Sequence, residues 1–161
     1  MTYSVVLDTR VLYPAYLRDT LLRLAEAGLF RPLWSADILD ELDRNLIRAG
    51  IPAQVVRRLV AEMRLAFEDA EVIGYQPLIP TVTCDEKDRH VLAAGVCVGA
   101  NALVTFNAKD FPADSREPYD IELLTPDIFL LGCWMRHPEL SFERCASKLT
   151  ATSAIPEPYR D

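Results

Sequence analysis

Short apolar runs of strand length alternate with longer segments of helical spacing along most of the chain. Tyr3 to Asp8 is a compact apolar run that ends on a carboxylate, and it predicts a buried strand. Pro14 to Gly28 places Leu17, Leu21, Leu22, Leu24 and Ala25 at helical spacing, with a proline at the start and a glycine at the end. Arg31 to Trp34 predicts a short strand. Ser35 then stands as the N-cap of a helix that runs to about Ala49 and stops at Gly50. Pro52 suits the first position of a further helix reaching roughly Asp69. Glu71 to Tyr75 fits either a strand or a turn, and residues 76–88 read as irregular, with two prolines and a polar end. "RHVLAAGVCVGA" is almost entirely apolar and predicts a buried helix; "NALVTF" follows it as a strand, and Asp120 to Leu124 as another. Pro126 opens a last apolar helix, "PDIFLLGCWM". The pattern predicts a main body over residues 1–135, with residues 136–161 as a peripheral helix and tail of the same domain.

Strands alternating with helices predict an α/β domain with a central, mostly parallel sheet of four to five strands, covered on both faces. A chain of 161 residues, half of them hydrophobic, suits one packed domain rather than two. Charge interrupts every apolar run before it reaches the length of a membrane span, and "MTYSVVLD" lacks the basic start of a signal peptide. A cytoplasmic protein with no membrane partner is the expectation. The four cysteines and two histidines form no zinc-type or redox-type spacing, so buried reduced thiols are expected. A net charge of −7 disfavours non-specific gripping of nucleic acid through a basic face. It does not exclude a nuclease, because cations bound by carboxylates are missing from that count.

In a parallel sheet covered by helices, chemistry sits outside the carboxyl ends of the strands. Asp8 ends the first strand, Asp88 opens the apolar helix with Asp85 one turn before it, and Asn107 and Asp110 follow "ALVTF". Any one of these alone reads as a turn or cap residue. Three loops delivering oxygen ligands to one edge predict a compensating cation, and an all-oxygen set suits Mg²⁺ or Mn²⁺. On the helix after Ser35, Asp40 and Arg44 are spaced as a solvated i, i+4 pair, while Glu41 and Asp43 flank the apolar stripe on either side. Spacing alone does not choose between the last two.

The ordered combination D-T-x-V-L, W-S-x-x-I-L-x-E-L, D-R-H-V-L-A-A and V-T-F-N-x-x-D-F resembles the PIN-domain family over roughly residues 3–130. The closer likeness is to the branch of VapC-like toxins from type II toxin–antitoxin modules. The resemblance implies a three-layer α/β/α PIN-like fold and a ribonuclease dependent on Mg²⁺ or Mn²⁺, with residues 1–135 as its nuclease domain. It implies an RNA substrate, a cognate antitoxin protein and, in many relatives, a homodimer. The family's acidic positions fall on Asp8, Glu41 and Asp88, which selects Glu41 over Asp43; Asp110 is carried as the fourth catalytic and metal-binding acid, with Asn107 as a polar positioning residue. Thr9, Arg10, Asp85 and Thr105 complete the expected surroundings of substrate and carboxylates. Hydroxyls at strand ends more often cap turns, and Phe106 and Phe111 read as core or rim packing. Arg57, Arg58 and Arg64 sit on a helix that relatives place near the entrance, where they would guide RNA or form an ordinary exposed face.

The departure from the family is Arg10, where relatives carry Asn or a small residue. Arginine accepts no hydrogen bond and is always charged. Either it faces the cleft and pairs with a carboxylate or a substrate phosphate, or it turns to solvent; the cleft is the preferred expectation. A pairing with the acids would displace a cation, so the alternative function is an inactive PIN-scaffold interaction protein. A phosphatase with an aspartate nucleophile would want an acid two positions after Asp8, where Arg10 stands.

Overall fold

The structure, a computed structural model, describes residues 2–138. Its elements run β1 (Ser4–Leu7), α1 (Thr9–Leu12), α2 (Ala15–Glu26), β2 (Arg31–Ser35), α3 (Ala36–Arg48) and α4 (Ala53–Ala66) in the first half. β3 (Glu71–Val72), α5 (Arg89–Val98), β4 (Ala102–Val104), α6 (Ala113–Arg116), β5 (Glu122–Leu124) and α7 (Pro126–Arg136) follow. All but three of the residues expected as a peripheral helix and tail, residues 136–161, lie outside the described residues, as does Cys145.

The five strands form one sheet of order β3-β2-β1-β4-β5, parallel at every pairing. β1 is central: Val5 lies between Pro32 and Ala102, and Val6 between Leu33 and Leu103. Its three apolar residues are fully buried, as a strand covered on both faces requires. The chain steps from β1 outward through β2 to β3, then returns past both to β4 and β5. Right-handed crossovers place α2, α3 and α4 on one face and α5 on the other, giving the expected three layers. Gly95 lets α5 approach closely: a side-chain carbon there would meet Val6 and Ile121 at 3.4 Å.

Ser35 caps α3 as its position predicts, its hydroxyl accepting from the Ile38 N–H at 3.2 Å. α5 ends at Gly99, whose φ of +63° is left-handed. Three boundaries differ from the sequence reading. α4 stops at Ala66 rather than near Asp69, because Phe67 leaves the helical conformation and sets its ring edge-on to Trp34 at 5.8 Å. The ambiguous stretch at 71–75 is a two-residue strand followed by a turn at Gly74, with φ of +78°. The irregular stretch contains two 3₁₀ turns, Gln76–Thr81 and Glu86–Asp88. The four-residue helices α1 and α6 carry no periodic signal of their own. α1 is held from below by Arg18, a buried cation that donates to the carbonyls of Leu12 at 2.8 Å and Tyr13 at 3.2 Å.

Candidate active site

The order of strands reverses between β1 and β4, and the crevice at their carboxyl ends is the switch point where such sheets bind ligands. Asp8 follows β1 and Thr105 follows β4, side by side. The Asp8 N–H continues the ladder to the Val104 carbonyl at 3.2 Å, while the Asp8 carbonyl accepts from Val11 and Leu12 and starts α1. The Asp8 side chain caps nothing. It is only 4 % exposed and accepts from the Thr105 hydroxyl at 2.8 Å. That hydroxyl in turn accepts from the Asn107 N–H at 3.0 Å, which fixes its direction. Burial raises the Asp8 carboxyl above its ordinary range, and the Glu41 charge adds to this. The Thr105 bond, the Thr9 backbone and the Arg10 charge oppose it.

α3 brings Glu41 to the same crevice. Thr9 Oγ1 stands 3.1 Å from Glu41 Oε2 and 3.3 Å from the Ile38 carbonyl, so one hydroxyl proton serves two acceptors. His90 Nε2 lies 3.7 Å from the same carboxylate, and His90 Nδ1 is buried without a hydrogen-bond partner among the described residues. Asp88 opens α5 without capping it. Its carboxyl is pushed up to about 7, first by burial and then by the Asp8 charge, a hydrogen bond with Asp110 and the charges of Asp110 and Asp85. Asp110 accepts from Asn107 Nδ2 at 2.9 Å. Asn107 thus fastens Asp110 with its side chain and Thr105 with its backbone.

Asp8, Glu41, Asp88 and Asp110 therefore converge, Asp8 and Asp88 each feeling the charge of a neighbouring acid. Thr9 orients a carboxylate, and Thr105 does so while also taking the commoner role of a strand-end hydroxyl, accepting from the N–H two residues on. Asp85 does cap: it is exposed, and its carboxylate accepts from the Lys87 N–H at 3.1 Å. Arg10 is exposed and forms no ion pair with a carboxylate among the described residues, although its charge reaches Asp8. The pairing with the acids through which Arg10 would displace a cation is thus not formed among the described residues. Asp40 and Arg44 are both exposed and form no ion pair among the described residues. Arg64 is tied to Glu71 by two contacts of 3.0 and 3.2 Å, and Arg58 lies 3.8 Å from Glu62. Phe111 is core and Phe106 is exposed. His90 was not among the sequence candidates; its one signal is that it follows Asp88 by two residues, within the first turn of α5.

The donors suit a hard divalent cation, since all are oxygens and the set has more negative charge than its surroundings balance. Among the described residues no three His, Cys, Asp or Glu side chains stand close enough together to hold a metal ion as they are. A thiol nucleophile is not available here, because burial pushes Cys84 up to about 11.

The sequence model of the family described as PIN domain matches residues 4–109. The chain belongs to the PIN-domain family. Within the matched span lie β1 to β4 and, of the four converging acids, Asp8, Glu41 and Asp88; Asp110 falls one residue beyond it. Over 62 residues this PIN domain is 50 % identical to a Mycobacterium tuberculosis protein named "Putative ribonuclease VapC50". That stretch is 38 % of the chain and 37 % of the relative, so the alignment spans little more than a third of either.

Proposed function

We propose that this PIN domain is an endoribonuclease dependent on Mg²⁺ or Mn²⁺ and the toxin of a two-protein module, working in the cytoplasm. The observation that carries the reading is the set of acids pressed together at the switch point, with Asp88 pushed up to about 7 by burial and like charge. Asp8, Glu41, Asp88 and Asp110 would hold the cation, which supplies charge neutralisation at the scissile phosphate and an activated water. Phosphodiester hydrolysis forms one bond from the water oxygen to phosphorus and breaks one to the leaving oxygen, which takes up a proton. The chain's own contribution is orientation. Thr105 fixes Asp8, Thr9 fixes Glu41, and Asn107 fixes Asp110. With its carboxyl pushed up to about 7, Asp88 would hold a proton in part of the population at neutral pH and would give it up on joining a cation's ligand set.

The name of the relative and the resemblance to VapC-like toxins support RNA as substrate and an antitoxin protein as partner. Residues 1–135 would act as the nuclease domain. Asp8→Asn and Asp88→Asn should each abolish Mn²⁺-dependent cleavage of an RNA pool while circular dichroism shows the fold retained. Undiminished cleavage by both variants would remove the proposed site, and absence of both Mn²⁺ binding and cleavage in the wild type would favour an inactive interaction scaffold.

A further inference from the structure

Two hollows meet beside the carboxylates and share Asn45 and Arg48. The first, about 410 Å³, is lined by Arg10, Tyr13, Asn45, Arg48 and Ala49, so it holds two guanidinium groups and no acid. The second, about 580 Å³, carries Arg44, Lys87 and His90 as well as Glu41, and it leads from the first hollow into the acidic site. Its acids include Asp37 and Asp40. Among the described residues, none of Arg10, Arg44, Arg48 and Lys87 forms an ion pair. The second hollow thus balances its cations with acids, whereas the first, in a chain of net charge −7, holds two cations and no acid beside them.

Glu41, Arg44, Asn45 and Arg48 are spaced i, i+3, i+4 and i+7 on α3, so one helix face leads from carboxylate to cation over about 10 Å. Arg48 lies in the last turn of α3, where the helix dipole favours a cation. The dipole does not account for Arg10, which reaches the same hollow from α1. Tyr13 follows α1 and is 40 % exposed in that hollow, an aromatic face beside paired guanidiniums. Phosphate-binding cations interleaved with an aromatic ring form the arrangement that holds single-stranded nucleic acid.

We propose that this hollow is the track along which single-stranded RNA reaches the acids, an inference that rests on the ribonuclease reading. Arg10 and Arg48 hold backbone phosphates beyond the scissile one, and a base stacks on Tyr13. The residue that breaks the family pattern is then a substrate contact on the rim.

The test is the binding of a short fluorescently labelled single-stranded RNA to EDTA-treated protein, read by anisotropy across a salt series. The Arg10→Ala/Arg48→Ala double variant should bind about tenfold more weakly. Its plot of log affinity against log salt should be shallower by about 1.4, two contacts at about 0.7 each. Arg10→Lys/Arg48→Lys should restore the slope, and Tyr13→Ala should lower affinity with the slope unchanged. Arg31→Ala, at the opposite edge of the sheet, should alter neither. Matching melting temperatures establish that the variants fold. Wild-type affinity and slope in the double Ala variant would overturn the track while leaving Mn²⁺-dependent cleavage, and hence the ribonuclease reading, intact. A wild type that neither binds nor cleaves RNA overturns both. Binding of poly-glutamate but no RNA, lost in the double Ala variant, overturns the track and gives the hollow to an acidic protein segment.

Discussion

Thr105 donates to Asp8 while accepting from the Asn107 backbone, so one hydroxyl sets the direction in which a buried carboxylate offers its lone pairs. Thr105→Val keeps the shape and removes both bonds. Partners of this kind are worth about 10- to 100-fold in metal affinity or activity, and Mn²⁺ titration beside a cleavage assay should read a loss of that size. Asp88 makes a second prediction. Its folded carboxyl titrates at about 7, whereas an unfolded one titrates near ~3.9. The folded state therefore binds more protons between those values, and stability present below about pH 4 is lost as pH rises through 7. Metal-free protein should melt at lower temperature at pH 8 than at pH 5.5, and Asp88→Asn should flatten that difference in thermal melts. At this scale the sequence showed the acids more clearly than their supports. A strand-end Asp and a helix-opening Asp are visible in the pattern, but Glu41 and Asp43 flank one apolar stripe alike. The Thr9 contact that distinguishes Glu41 joins residues 32 positions apart, beyond any local pattern. Arg10 follows the same rule: its position beside Asp8 was legible, but the hollow it lines is completed by Asn45 and Arg48 of α3, which no local pattern shows.

α3 carries Glu41 and, in Arg48, one of the proposed RNA contacts, so its capping bears on function as well as stability. Ser35→Ala removes the bond to the Ile38 N–H and should cost about 1 kcal/mol, a fall in melting temperature of roughly 2–4 °C for a domain of this size. Gly99→Ala should destabilise by a similar amount, about 1 kcal/mol, because its left-handed φ strains any side chain even though nothing crowds the position. Caps and left-handed glycines are local signals; Ser35 and Gly50 were readable in advance, whereas Gly99 lay inside a run read as continuous helix. The elements that were not readable are short or end through distant packing. α1 exists because the Asp8 carbonyl and buried Arg18 satisfy its backbone, and α4 ends where Phe67 meets Trp34. Four residues cannot display a helical period, and an aromatic contact across the fold leaves no local mark.

The whole molecule is a doubly wound sheet whose topological reversal gathers Asp8, Asp88 and Asp110 from segments far apart in sequence. Alternating apolar runs made that architecture legible, since parallel strands need helical crossovers and their carboxyl ends must share an edge. Like charges collected there oppose folding, so a cation should act on the entire domain. Mn²⁺ at a hundred times its Kd should stabilise by about 2.7 kcal/mol, raising the melting temperature by roughly 5–10 °C. Asp8→Asn should abolish that rise. The hydrogen bond between Asp8 and Thr105 spans 97 positions, and this has a consequence in time. At synthesis rates of about 5–20 residues per second, Asp8 is made roughly 5–20 s before its hydroxyl partner. Throughout that interval the nascent chain carries an acid with no site around it. On the ribonuclease reading proposed above, such a chain would be born beside messenger and ribosomal RNA with no site to cut either until β4 has left the ribosome.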